Sequence, residues 1–117
     1  MRAVVDLCAE LPAASAAQAC GRYLALPVLD GCAPAPEQLS RGVRWIDDAL
    51  EHGPVFVHCA LGHGRSATLI VAWKLAHGVP GLPAAEAELR QLRPGVSLRP
   101  AQRAAVEAWA RGRALPA

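Results

Sequence analysis

The chain has 117 residues, which is enough for one small domain and too few for a second hydrophobic core. Its net charge of +2 is small and its basic residues form no patch, which excludes a protein held to nucleic acid by electrostatics. The four cysteines (Cys8, Cys20, Cys32 and Cys59) show no Cys-x-x-Cys spacing and are too scattered for a disulfide framework, so a reducing, cytoplasmic setting fits them. The longest apolar run, Ala67 to Trp73, is too short to span a bilayer, and Asp6 and Glu10 interrupt any leader-like stretch at the N-terminus.

Ala3 to Leu7 is a β-branched and aliphatic run and reads as a buried strand. Leu11 to Cys20 is Ala-rich and reads as a short helix or a compact connection. Tyr23 to Leu29 reads as a second strand, in which Pro27 removes one ladder hydrogen bond and so places the strand at a sheet edge or ends its pairing there. Asp30 to Pro36 is a Gly- and Pro-containing loop. From Pro36 the period changes: Leu39, Val43, Ile46 and Leu50 mark the apolar face of a helix that ends near Gly53. Pro54 to His58 reads as a third strand with both faces covered, because Val55, Phe56 and Val57 run without a polar break. A helix from about Arg65 to His77 closes at Gly78, and two more are expected at Pro83 to Leu92 and Pro100 to Arg111. Trp45, Trp73 and Trp109 fall in these helices as packing residues. The order implies an α/β fold with a small, mainly parallel sheet flanked by helices, over a single domain spanning 1–117.

Chemistry concentrates between the third strand and the next helix, in His58-Cys59-Ala60-Leu61-Gly62-His63-Gly64-Arg65-Ser66. Strand, glycine-containing loop and helix N-terminus together form an anion nest of backbone N–H groups aided by the helix dipole. Gly62 and Gly64 allow the tight or left-handed backbone angles such a cradle needs. A nucleotide-binding loop would end in Gly-Lys-Ser/Thr, and this one has Gly-Arg-Ser with no lysine. A cysteine opens the loop instead, at a place where a thiol is shifted toward thiolate near neutral pH. Arg65 can hold two phosphoryl oxygens with its planar fork, and the Ser66 hydroxyl can donate to the sulfur. His58 orders the loop, while Ala60, Leu61, Gly62, His63 and Gly64 supply the cradle.

His-Cys-x-x-Gly-x-x-Arg-Ser after an apolar strand resembles the signature of the dual-specificity branch of the cysteine-dependent protein-tyrosine-phosphatase superfamily, small bacterial members above all. Val5-Asp6-Leu7, Tyr23 to Asp30 and Arg93-Pro94 resemble flanking segments of that family, and Gln102 resembles a late glutamine seen in related phosphatases. The resemblance implies a metal-independent phosphatase that uses no cofactor and forms a phosphocysteine intermediate. Its substrate would be a phosphorylated protein or a small phosphomonoester. It also implies an aspartate acid from a loop upstream of the cysteine, and Asp30 fits that place. Asp47 and Asp48 read as a solvated helix face, Asp6 as part of a strand, and Gln102 by default as a surface amide.

Family members usually carry strands before the one resembling Val4 to Leu7, so the sheet is unusually small, the domain is a minimal version, or the sequence is a fragment. A missing neighbour strand would leave an edge open to dimerisation. Cys32, two residues beyond Asp30, reads as a small loop residue, with a protective disulfide to Cys59 as the alternative. For function the alternatives are a lipid or inositol phosphatase and a catalytically inactive phosphate-binding module. Low-molecular-weight phosphatases place the same loop near their N-terminus, and a sulfurtransferase would not call for Arg65-Ser66.

Overall fold

Short aliphatic runs become three parallel strands in the computed structural model, which describes residues 2–8, 21–29, 32–59 and 64–113. These are β1 (Arg2–Cys8), β2 (Gly21–Val28) and β3 (Val55–His58), in the order β2-β1-β3. Val5 pairs with Leu24 on one side and Val57 on the other, and Asp6 pairs with Ala25 and His58. Residues 9–20, which include the Leu11 to Cys20 stretch expected as a short helix or compact connection, lie outside the described residues.

Side chains alternate along each strand, so one sheet face carries Ala3, Val5, Leu7, Leu24, Leu26 and Val28, all buried. Against this face packs a single core shared by four helices among the described residues: α1 (Pro36–Leu50), α2 (Arg65–Ala76), α3 (Leu82–Leu92) and α4 (Pro100–Gly112). Asp6 points to the other face yet is buried, and its carboxylate accepts a 2.7 Å hydrogen bond from the Tyr23 hydroxyl.

The irregularity at Pro27 follows from its missing N–H. Between Asp6 and Cys8 the register slips, so that Asp6 pairs with Ala25 but Cys8 with Val28. Of the two outcomes the proline allows, β2 takes the edge position among the described residues, and its pairing continues past Pro27 to Val28. The expectation that both faces of the third strand are covered is not met. β3 is also an edge among the described residues, and Phe56 is 50% exposed. A Val-Phe-Val run reads the same in a central strand and in one covered on a single face, because the run does not encode its neighbours.

Helix α1 begins with Pro36 in its first turn, where the Gln38 side chain accepts the Ala35 N–H at 2.9 Å. Leu39, Val43 and Ile46 are buried as the period predicts, whereas Leu50 at the end is exposed. The helix instead completes its inner face with Gly42 and Ala49. A Cβ on Gly42 would come within 2.7 Å of Leu69 Cδ1, so the missing side chain is what lets α1 approach α2. Helix α2 is buried almost all round, through Arg65, Ser66, Ala67, Thr68, Leu69, Val71, Ala72 and Leu75. It ends at His77 and Gly78, whose φ of +96° is the left-handed stop.

Glu86 of α3 was not distinguishable in the sequence from a surface carboxylate, yet it is buried. It accepts 2.8 Å bonds from Arg90 and Arg103 and also the Leu98 N–H, tying α3 and the 93–99 segment to α4. Glu86→Ala should cost about 2 kcal/mol, because the two arginines are partly solvated and lose less than a fully buried pair would. Thermal unfolding should register this as a fall in Tm of about 8 °C.

Candidate active site

Parallel strands put the carboxyl ends of β2 and β3 on the same rim of the sheet, the usual place for ligands in α/β folds. The chain leaves β3 at Cys59 and re-enters helical structure at Arg65. Cys59 is only 4% exposed, and its Sγ forms a 3.4 Å hydrogen bond with the Ser66 Oγ. Ser66 lies in the first turn of α2, where N–H groups without intrahelical partners concentrate positive potential. The sulfur therefore sits where an anion is favoured, beside a hydroxyl that can donate to it.

Arg65 is also buried, at 3% exposure, and its Nη1 donates to the Val28 carbonyl at 2.6 Å. That bond spans from the helix start to the end of β2 and fixes the plane of the guanidinium. Thr68, unremarked in the sequence, holds the other side of the turn: its N–H and Oγ1 both donate to the Gly64 carbonyl, at 2.8 and 2.7 Å. Because α2 is packed on nearly every face, Arg65 and Ser66 project from a rigid element.

Gly64 narrows one expectation. Its φ is −124°, outside the left-handed region, so a left-handed backbone is not why a glycine stands there. A Cβ at this position would come 3.2 Å from Gln102 Nε2 and 3.4 Å from Oε1. Gln102 corrects another, since it is 1% exposed rather than a surface amide. Both were hidden for the same reason: the contact joins residues far apart in sequence and follows no period. Ala60, Leu61, Gly62 and His63 of the loop, and Asp30 and Gly31, lie outside the described residues.

Two other upstream carboxylates have partners of their own. Asp47 accepts from Trp73 Nε1 at 2.9 Å and lies 2.7 Å from His77 Nε2, at the far end of α2. Asp6 is held by Tyr23. Cys32 is exposed and follows residues 30 and 31, its N–H donating to the Leu29 carbonyl at 3.0 Å. Trp109 is buried, and its Nε1 donates to Ser40 Oγ; Trp45 and Trp73 pack against the core, as expected. No cluster of metal-binding side chains occurs among the described residues. None of the helices there is long and apolar enough to cross a membrane.

Residues 1–79 match the family described as a polymorphic toxin system DSP-PTPase phosphatase. The chain belongs to this family of dual-specificity phosphatases. Among solved structures, this phosphatase domain is similar to Tk-PTP in its active form, at 34% identity and a TM-score of 0.84 over 94% of this chain and 78% of that one. Human DUSP28 shares the fold at a TM-score of 0.82 and 21% identity, over 95% of this chain and 78% of that one. Among curated proteins it is 34% identical over 91 residues to the phosphatidylglycerophosphate phosphatase PTPMT2 of Arabidopsis thaliana, covering 76% of this chain. It is 37% identical over 76 residues, 63% of this chain, to the tyrosine-protein phosphatase cdc-14 of Caenorhabditis elegans. The phosphatase domain spans 40% of the length of the first of these relatives and 10% of the second.

Proposed function

We propose that this chain hydrolyses phosphate monoesters through a phosphocysteine on Cys59, without a metal ion. The observation that carries the reading is the pairing of a buried Cys59 Sγ with Ser66 Oγ at the first turn of α2, next to a buried Arg65. The thiolate attacks phosphorus, forming an S–P bond as the P–O bond to the leaving group breaks. Arg65 and the backbone N–H groups of the Cys-x5-Arg loop, from Ala60 to Gly64, take up the charge building on the phosphoryl oxygens. Asp30 delivers its proton to the departing oxygen. Its carboxylate then draws a proton from the water that cleaves the S–P bond. Ser66 donates to the sulfur and eases its departure, and His58 at the end of β3 orders the loop.

The substrate we favour is a phosphorylated tyrosine, serine or threonine side chain. The cradle residues Ala60, Leu61, Gly62 and His63 include no lysine or arginine to hold the further charges of a polyanionic headgroup. The likeness to a relative named as a tyrosine-protein phosphatase supports this. A second reading, a lipid phosphate, draws on the 34% identity to a relative named as a phosphatidylglycerophosphate phosphatase. A reducing, cytoplasmic setting would keep Cys59 in the thiol state that either chemistry requires.

A panel of phosphopeptides, phosphoinositides and phosphatidylglycerophosphate, with Cys59→Ser as control, tests both readings. Under the favoured one, kcat/KM is highest on phosphopeptides. Preference for phosphatidylglycerophosphate would move the assignment to the lipid class, and no turnover on any member would leave a phosphate-binding module.

A further inference from the structure

Two buried side chains reach the segment between β2 and α1 from the phosphate-loop side, one on each side of residues 30 and 31. Arg65 holds the Val28 carbonyl ahead of them, at 2.6 Å. Gln102 Nε2 donates to the Cys32 carbonyl beyond them, at 3.2 Å. Both ends of the Gln102 amide are engaged: its Oε1 accepts the Arg99 N–H at 2.8 Å, which fixes the side chain to the start of α4. The same amide lies against Gly64, where a Cβ would come within 3.2 Å of Nε2. One buried glutamine thus touches the last residue before Arg65 and holds the backbone two residues past Asp30.

An acid catalyst is sensitive to placement, because its proton must lie within hydrogen-bond reach of the leaving oxygen. Arg65 holds the backbone before residues 30 and 31 and Gln102 holds it after them, so the two ties bracket that stretch of sequence. We infer that Gln102 is a positioning residue for proton delivery, seating the segment that carries Asp30 against the phosphate-binding loop through the Cys32 carbonyl. It does not touch substrate. The inference rests on the reading of Asp30 as the acid.

The substitution that isolates this role is Gln102→Glu. A carboxylate keeps the acceptor that caps Arg99 but has no N–H for the Cys32 carbonyl. Gln102→Asn, one methylene shorter, removes the reach while keeping the amide. It serves as the second variant if the first fails to fold, with thermal unfolding reporting on both. Each is assayed beside Asp30→Asn on aryl phosphates whose leaving groups range from dinitrophenol to phenol.

A dinitrophenolate leaves without a proton, whereas phenol needs one. Asp30→Asn should therefore lose about 10²-fold or more on phenyl phosphate and far less on dinitrophenyl phosphate. Gln102→Glu should show the same gradient at smaller size, about 10-fold on phenyl phosphate and under about 3-fold on dinitrophenyl phosphate. A merely structural role for Gln102 would lower all substrates equally or lower Tm alone. A graded loss in Asp30→Asn with a flat or absent loss in Gln102→Glu would overturn the inference and leave the acid assignment standing. A flat response in Asp30→Asn would remove Asp30 as acid, and the role of Gln102 with it.

Discussion

Cys59→Ser should reduce turnover of every phosphate monoester the protein accepts by about 10⁴-fold or more, because a serine hydroxyl in the same place is almost wholly protonated. Surroundings that turn a thiol into a thiolate still cannot bring an alcohol to the alkoxide near neutral pH. Binding should respond differently. Arg65 and the packed first turn of α2 do not depend on the sulfur, and Cys59 is buried in a space that a smaller oxygen also fits. Affinity for inorganic phosphate, measured calorimetrically, should stay within about threefold, equivalent to less than about 1 kcal/mol. Loss of chemistry with retention of binding identifies a nucleophile. Loss of both would indicate that the cysteine holds the loop together.

Arg65→Lys should produce the second-largest defect, about 10²- to 10³-fold in kcat/KM, the scale reported for removal of one preorganised donor from a developing oxyanion. The substitution preserves charge but not shape. The guanidinium meets the Val28 carbonyl at 2.6 Å and has further N–H groups in a rigid plane. A lysine ammonium can meet either the carbonyl or the phosphoryl oxygens well, and it cannot fix the angle between them. Phosphate affinity should fall together with kcat, unlike the Cys59→Ser case. Equal turnover by the lysine variant would show that point charge alone suffices there.

Much of the fold could be read from local pattern. The β1 run, the Pro27 edge, the α1 stripe with Pro36 at its start, and the stop at Gly78 each depend on residues within a few positions of one another. Their physics is local, so the sequence displays it. The core of the candidate site was legible for the same reason, since Cys59, Arg65 and Ser66 occupy one loop and one helical turn. What the sequence concealed depends on which distant elements meet. Phe56 is half-exposed because it projects from the sheet face opposite the helical core, which the run of apolar residues does not reveal. Glu86 is buried because the 93–99 segment folds over it. Gln102 is buried because α4 brings it against Gly64 and Cys32, the latter 70 residues away in sequence. Gly64 shows the difference most clearly. The residue type was read correctly as constrained, but the constraint is space for a glutamine and not a left-handed backbone.

The central claim is a covalent phosphocysteine, and it can be observed directly. In the proposed mechanism Ser66 donates to the departing sulfur, so in Ser66→Ala dephosphorylation should slow more than phosphorylation and the intermediate should accumulate. The measurement is rapid quench of Ser66→Ala with excess aryl phosphate, followed by peptide mass spectrometry and timed release of the aryl alcohol. The proposed mechanism predicts a burst of alcohol approaching one equivalent of enzyme and a phosphoryl group on the peptide containing Cys59. A phosphoryl group on any other residue, or turnover with neither a burst nor modification of Cys59, would contradict it.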